Sequence, residues 1–534
     1  MTKRPNFLFI ITDQHRADYL SCYGHPVLQT PNIDRLAARG RRFDRFYVAN
    51  PVCMPNRATL MTGRMPSLHG VRHNGISLSL QANTFVDLLR VNGYRTALLG
   101  KSHLQNFGSQ TPILRRAAPP PGRDLPPDDF AEALKPVPGE GRYNQEQPAS
   151  WEHDPDYRVD LPFYGYQHVD LCTRHGDLVG GNYVHWLDEH RSDADDLRGP
   201  GNALPHDHIC PQAWRTAVPE ELYPTSYISD MTLDFLDRHV ADGAGAPFFA
   251  MMSFPDPHHP FTPPGKYWDM YRPEDMKLPD SFDHGNRPPP PHVAWALAER
   301  SAGTAVTDSQ NAFAVYKREA LEAMALTCGM ITMIDDAVGR ALRRLEELGL
   351  AQETVVVFTA DHGDFLGDHG LMLKGPAHYH GLIRVPFIWA DTKEEAEPGI
   401  CSALCGTIDI GATILDRAGI EPYNGIQGRS LLGLAAGETE PLYESVLIED
   451  DQQRTYFGFD RPPRIRTLVT ERWRMTLNHG VAWGELYDFV NDPDEMENLW
   501  DDAAHHAVKA ELMETLARRQ MELVDRSPLP TAVA

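Results

Sequence analysis

The chain has 534 residues, with 50 Lys and Arg against 74 Asp and Glu, a net charge of −24. That length exceeds what one hydrophobic core usually supports, and the acidic balance argues against a nucleic-acid or anionic-membrane surface. No apolar run reaches the roughly 18 residues of a membrane span, the N-terminal run is too short for a secretory leader, and the seven cysteines are scattered, so a cytoplasmic protein without disulfides is expected.

Asn6–Thr12 is a continuous apolar run and predicts a strand buried on both faces, as in a parallel sheet covered by helices. Asp13 and Gln14 follow at its carboxyl end, where ligands bind in open α/β sheets. Thr30-Pro-Asn-Ile-Asp34 opens a helix that Gly40 closes. Next comes Cys53-Met-Pro-Asn-Arg-Ala-Thr-Leu-Met-Thr-Gly-Arg64. Pro55 suits a first helical turn, which places Cys53 at a helix N-terminus where free N–H groups favour an anion. Arg57 is one turn further on, and His69, His73 and Asn74 follow.

Thr96–Gly100 predicts a second buried strand, with Lys101 and His103 at its end, two apart and on one side. From 111 to 162 the chain is Pro-rich and aperiodic, and seven histidines between 153 and 208 fit no metal motif. Most of these read as solvated, with one or two able to reach over the site. Ser226–His239 predicts an amphipathic helix, and Pro247–Ser253 a third buried strand leading to His258 and His259 in a rigid Pro-rich turn. Residues 262–315 are Pro-rich again. Tyr316–Leu348 is the longest helical pattern, with Met324, Met330 and Met333 as core fillers. Thr354–Thr359 is a fourth strand, ending in Asp361, His362 and then Lys374; Arg384–Trp389 is a fifth. Cys401 and Cys405 are expected in one helix, and Ile408–Ala418 in another. After about residue 440, short alternating runs at Ser445–Ile448, Ile465–Thr470 and Trp473–Leu477 predict a small antiparallel sheet, followed by two charged helices, the last at Lys509–Val524.

The expected architecture is therefore α/β. Residues 1–440 would form a catalytic domain around a large, mostly parallel sheet, with Pro-rich insertions near 105–225 and 262–315; residues 441–534 would form an α+β subdomain and tail. If the strands are parallel, Asp13, Gln14, Lys101, His103, His258, Asp361 and His362 gather at one sheet edge. Two carboxylates, an amide oxygen and an imidazole make a site for a divalent cation, with residue 53 completing it. Arg57, Lys101, Lys374 and His258 surround it with positive charge suited to transfer of an oxyanion.

Cys53-x-Pro55-x-Arg57, continued by Leu60-x-Thr62-Gly63-Arg64, resembles the signature of the type I, formylglycine-dependent sulfatases of the alkaline phosphatase superfamily. Thr12-Asp-Gln, Gly100-Lys-Ser-His, Pro257-His-His-Pro-Phe, Asp361-His-Gly, Lys374-Gly and Glu485-Leu-Tyr-Asp fall in family order, so the resemblance covers most of the chain. It implies that a maturation enzyme converts Cys53 to formylglycine, whose hydrate attacks sulfur. It implies that Asp13, Gln14, Cys53, Asp361 and His362 hold one divalent cation, and that Asp361 helps activate the attacking oxygen. His258 and Lys374 would assist the leaving group. His103 would take the proton that releases sulfate, and Lys101, Arg57 and Asn74 would contact the diol or the transferred group. Gln14 and His362 replace the Asp and Asn frequent in arylsulfatases, which brings Mn²⁺ into competition with Ca²⁺. Related phosphonate monoester hydrolases share this arrangement but tend to lack the Lys-x-His seen here. Sulfate monoesters are thus the expected substrates, with phosphonate monoesters or phosphodiesters as the alternative. Should Cys53 stay a thiol, the same cluster reads as a non-catalytic anion-binding site. No His-Glu-x-x-His occurs, which argues against a metallopeptidase. The acidic surface is compatible with a homo-oligomer.

Overall fold

The computed structural model describes residues 4–533 apart from 109, 111, 115, 128–129, 134–141, 244 and 392–397. Part of the Pro-rich stretch expected from 111 to 162 therefore lies outside the described residues.

A central sheet of nine described strands runs through the molecule. In chain order they are β1 (Asn6–Thr12), β2 (Arg41–Phe43), β3 (Arg95–Lys101), β4 (His168–Thr173), β5 (Gly180–Gly181), β6 (Phe248–Ser253), β7 (Thr354–Ala360), β8 (Phe387–Ala390) and β9 (Gly399–Cys401). Their spatial order is β9-β2-β8-β7-β1-β6-β3-β4-β5. The five central strands β7, β1, β6, β3 and β4 are all parallel. Side chains alternate across a strand, and both faces of β1 are covered. Phe7, Phe9 and Ile11 enter one core, whereas Leu8 and Ile10 enter the other. Val355 and Val357 of β7 follow the first pair of faces, Val356 and Phe358 the second. This double burial is why these strands read as unbroken apolar runs.

The helix α1 (Pro31–Arg39) starts and stops as the sequence predicts. The helix α2 (Cys53–Thr62) begins at the thiol and is buried along its whole length. On the opposite side of the sheet, α3 (Pro224–Ala241) and the long α4 (Lys317–Glu347) contribute Ile228, Leu236, Met324, Met330 and Met333 to the second core.

A second sheet is antiparallel: β10 (Ser445–Asp451), β11 (Arg464–Thr470), β12 (Trp473–Asn478) and β13 (Gly484–Asp488), in that order. Leu447, Leu468, Met475 and Leu486 pack under Leu512 and Leu516 of α5 (His506–Glu522), while Val446, Ile448, Val469 and Tyr487 turn the other way into the main core.

Four expectations are corrected. Cys401 and Cys405 do not share a helix; Gly399–Cys401 is an edge strand parallel to β2, and Cys405–Gly406 pairs with Phe46–Tyr47. Tertiary pairing has overridden a four-residue spacing that suits one helix face. The fifth strand starts at Phe387 rather than Arg384 and runs antiparallel to β7, because Pro386 has no N–H for the ladder. The chain ends in one α-helix, not two: before it, Asp492 accepts from Met496 N and Glu497 N and holds a turn. Within the expected insertion 105–225, His168–Thr173 is a strand of the central sheet.

His292 and His369 are buried at 1% exposure, stacked on Trp483 and Tyr379. Burial holds both below the ordinary 6.5, with neighbouring His284 and Arg474 adding to the effect at His369. The unfolded chain takes up a proton near pH 6.5 where the folded chain does not. Stability present above pH 6.5 is therefore lost as pH falls, at about 1.4 kcal/mol per pH unit for each such group until its folded pKa is reached. Buried Glu146, Asp256 and Glu495, raised to about 7, act the opposite way over this range. The urea midpoint should therefore drop more steeply, or rise less, between about pH 7.5 and 5.5 in the wild type than in a His292→Phe, His369→Phe variant; equal slopes would contradict this account.

Candidate active site

The register of the parallel strands builds the site. Thr12 lies opposite Ala360, Ile11 opposite Ser253 and Gly100 opposite Ser253. The next residues therefore leave the sheet side by side: Asp13 and Gln14 after β1, Asp361 and His362 after β7, and the 254–259 turn after β6. Lys101 is the last residue of β3. Gly100 precedes it at φ 115°, where a Cβ would lie 1.9 Å from Ser253 O, so only glycine fits. Gln14, His103 and Leu373 are also held at positive φ, at 61°, 58° and 66°, a backbone cost that functional sites commonly carry.

Cys53 sits at the N-terminus of α2 with 1% exposure. Its Sγ is 3.3 Å from Lys374 Nζ and 3.4 Å from His362 Nε2. Burial and Asp13 oppose the thiolate, but Lys374, Lys101 and His362 outweigh them and hold the thiol below its ordinary pKa. Asn74 Oδ1 accepts from Met54 N at 3.1 Å, so this residue caps the same helix end. Asn56 fastens α2 to the end of β7: its Nδ2 donates to Asp361 O, and its Oδ1 accepts from Ala49 N and Thr407 Oγ1.

Asp13 and Asp361 are fully buried. Arg57 Nε donates to Asp361 Oδ2 at 2.7 Å, and Arg57 Nη2 lies 3.6 Å from Asp13 Oδ2. Arg57 Nη1 donates to Lys101 O and Ser253 Oγ. Lys101 Nζ is bonded to Asp13 Oδ2 and lies 2.7 Å from His175 Nε2. These cations hold the Asp13 carboxyl well below its usual range despite its burial. His362 Nδ1 donates to Gly363 O, which turns Nε2 inward, 3.5 Å from Asp13 Oδ1 and 3.7 Å from Asp361 Oδ1. Gln14 Nε2 donates to Asp364 Oδ2 and His259 Nδ1, leaving Oε1 facing Lys374 Nζ at 3.0 Å.

His258 Nδ1 donates to His259 O, so its Nε2 accepts from Lys374 Nζ at 2.8 Å. Burial, then His175 and Lys374, keep the His258 ring neutral. The His103 ring stacks on Phe107 with centroids 3.8 Å apart, and its Nδ1 makes no hydrogen bond. Burial and Lys101 hold it well below the ordinary histidine pKa. Its backbone is pinned by Glu146, which accepts from His103 N, Leu104 N and Gln105 N.

The structure thus brings Asp13, Gln14, Cys53, Arg57, Lys101, His258, Asp361, His362 and Lys374 into one contact network, with His103 and Asn74 on its border. Asn56, Asp364 and Glu146 were not singled out from the sequence, and His175 only as one of the seven histidines of which one or two were expected to reach over the site. Of these, only His175 carried a readable signal: it follows the apolar end of a strand, Leu171-Cys-Thr173, as Lys101 and Asp361 do.

One ligand atom from each of Asp13, Cys53, Asp361 and His362 lies within 4.8 Å of every other. Asp13 Oδ1 is buried with no hydrogen-bond partner, which is costly unless a cation faces it. Carboxylate oxygens, an amide oxygen and one imidazole nitrogen fit a single divalent ion.

A family model described as Sulfatase matches residues 5–420, and one described as N-sulphoglucosamine sulphohydrolase, C-terminal, matches residues 367–522. An arylsulfatase of Clostridium perfringens is 28% identical over 504 residues, covering 93% of this chain and 90% of its own length. An N-acetylglucosamine-6-O-sulfatase of Bacteroides thetaiotaomicron is 26% identical over 553 residues, covering 99% and 88%. The crystal structure of a phosphonate monoester hydrolase of Agrobacterium radiobacter superposes with a TM-score of 0.76 at 25% identity, covering 99% of this chain and 98% of that one.

Proposed function

Because the chain belongs to the sulfatase family, we propose that this hydrolase cleaves sulfate monoesters through a formylglycine made from Cys53, releasing sulfate and an alcohol or phenol. The observation that carries the reading is the placement of Cys53 at a helix N-terminus, within 3.4 Å of both Lys374 Nζ and His362 Nε2.

Asp13, Gln14, Asp361, His362 and residue 53 would hold one Ca²⁺ or Mn²⁺, which when bound supplies Lewis-acid stabilisation of the charge that develops on the transferred group. A hydrated formylglycine would supply one hydroxyl to attack sulfur as the ester oxygen leaves, and a second whose deprotonation would re-form the aldehyde as the C–O bond to sulfate breaks. The chain's own groups do the rest. Asp361 helps draw the proton from the attacking hydroxyl, while Arg57 and Lys101 hold the sulfate oxygens. Lys374 Nζ donates to His258 Nε2 at 2.8 Å, and this pair delivers a proton to the leaving oxygen. His103, neutral with a free Nδ1, takes the proton that ends the cycle. Asn74 fixes the helix end from which residue 53 projects.

The same reading assigns catalysis to residues 1–440 and an α+β unit to 441–534, since the second sheet opens at Ser445. No helix among the described residues is long and apolar enough to cross a membrane. All seven cysteines are free, which supports a reducing compartment such as the cytoplasm. The chemistry requires a formylglycine-generating enzyme as partner.

Mass spectrometry of the tryptic peptide containing residue 53 tests the proposal directly: conversion of the thiol to the aldehyde lowers the mass by about 18 Da. An unmodified thiol in fully active protein would sink it. Chelation with EDTA should abolish turnover, and Ca²⁺ or Mn²⁺ should restore it; activity untouched by exhaustive chelation would exclude the metal. A second reading, phosphonate monoester hydrolysis at the same site, is favoured by Gln14 and His362 together with the Agrobacterium radiobacter likeness. The ratio of kcat/KM for a sulfate and a phosphonate ester of one phenol decides between them.

A further inference from the structure

His175 belongs to none of the motifs that point to the site, yet the fold delivers it there deliberately. Strand β4 is parallel to β3 and ends at Thr173. The chain then turns through Arg174 at φ 60° and Gly176 at φ 57°. A Cβ on Gly176 would lie 2.8 Å from both Pro260 Cγ and Thr262 Oγ1, so the turn is fitted closely against the segment following His258.

The side chain makes two different kinds of contact. Its Nε2 is 2.7 Å from Lys101 Nζ and 3.8 Å from Asp13 Oδ2. An ammonium only donates, so Nε2 is the acceptor and draws Lys101 to one side of the Asp13 carboxylate. Its ring lies flat on His258, centroids 3.5 Å apart and planes within 8°. His258 is thereby gripped between this face and its own bond to His259 O, which leaves its Nε2 aimed at Lys374 Nζ. The edge of Phe107 closes the outer side at 6.2 Å.

We propose that His175 is a positioning residue that serves both halves of the reaction: through Nε2 it sets the Lys101 ammonium against the sulfate, and through its ring face it aims His258 at the leaving oxygen. The kinetic part of this inference rests on the sulfate-ester reading. The two contacts can be separated by substitution. His175→Gln keeps an acceptor and loses the stacked face, whereas His175→Phe keeps the face and loses the acceptor.

The test uses the full, matured chain and a series of aryl sulfates whose phenols span a range of acidity. His175→Gln should steepen the dependence of log kcat/KM on leaving-group pKa, losing about tenfold more on the least acidic phenol than on the most acidic. His175→Phe should leave that slope unchanged and raise KM about tenfold. An equal loss across the series in both variants would reduce His175 to packing and overturn the proposal. A second measurement does not depend on turnover: calorimetric binding of inorganic sulfate to Cys53→Ala protein, with and without His175→Phe. The affinity should fall about tenfold, and equal affinity overturns the Lys101 half. If the wild type cleaves phosphonate monoesters and not sulfate esters, the sulfate reading fails by itself. The same slopes read on aryl phosphonates then decide His175.

Discussion

Cys53→Ala should lower kcat by about 10⁵-fold or more, the order of effect seen when a covalent nucleophile is removed, and do so without unfolding the protein. Cys53 is at 1% exposure in a helix whose N-terminal turn is fixed by Asn74 and Asn56. Losing one sulfur from such a position costs only about 1 kcal/mol. Arg57, Lys101 and Lys374 remain in place, so sulfate should still bind, and the loss should appear in kcat with little change in affinity for the product anion. Cys53→Ser should fare no better in a host whose maturation enzyme acts on thiols. Steady-state kinetics with a chromogenic sulfate ester, alongside sulfate calorimetry, read both quantities. Activity within a hundredfold of wild type would remove residue 53 from the chemistry.

Asp361→Ala should injure both activity and stability. Its Oδ2 accepts from Arg57 Nε at 2.7 Å and its Oδ1 from Gln14 N at 3.1 Å, with Arg57 at 4% side-chain exposure. Truncation leaves a buried guanidinium whose nearest carboxylate is Asp13, 3.6 Å away. Breaking such a pair costs about 3–5 kcal/mol. The cation site loses a donor at the same time, and turnover should fall by about 10³-fold or more. Asp361→Asn separates the two effects. The amide keeps the shape and an acceptor for Arg57 but turns its NH2 toward Gln14 N and leaves the guanidinium without its counter-charge, so only part of the stability should return, while the lost negative charge keeps metal affinity and kcat low. Denaturant unfolding and metal titration of the two variants check this. Full activity in Asp361→Asn would contradict the role of the charge.

Four central strands and the groups at their ends were legible in the sequence because burial on both faces leaves no polar alternation to blur them. Asp13, Lys101, His258 and Asp361 each follow such a run, and a short spacing rule then places them together. His175 was hidden because its strand opens with His168, Val169 and Asp170, which are half-buried, inside a Pro- and His-rich stretch. Only its last three residues are buried. Asn56, Asp364 and Glu146 could not be read at all, since their partners lie 305, 350 and 43 residues away, as in Asn56 to Asp361, Gln14 to Asp364 and His103 to Glu146. The strand at Gly399 was missed for the same reason, since its partner Arg41–Phe43 lies far along the chain; the single C-terminal helix was missed because a local side-chain turn at Asp492, not periodicity, decided the segment before it.

The strand order sets a timetable for synthesis. Phe7 pairs with Phe249 on one side and Val355 on the other, so β1 has no strand neighbour until the first of those distant segments has been made and only one until the second has. The pocket waits longer still, for Lys374, whose following residues are clamped from beyond: His378 to Thr467 and Asp450, and His380 N to Glu495. The roughly 320 residues between Cys53 and Lys374 take about 15–60 s to translate at about 5–20 residues per second. During that interval the thiol travels on an unfinished chain that lacks the strands and loops that later enclose it. Once the last strands arrive, the same thiol is enclosed at 1% exposure. On the proposed conversion of Cys53, the time before the last strands arrive would set how much of the protein is converted.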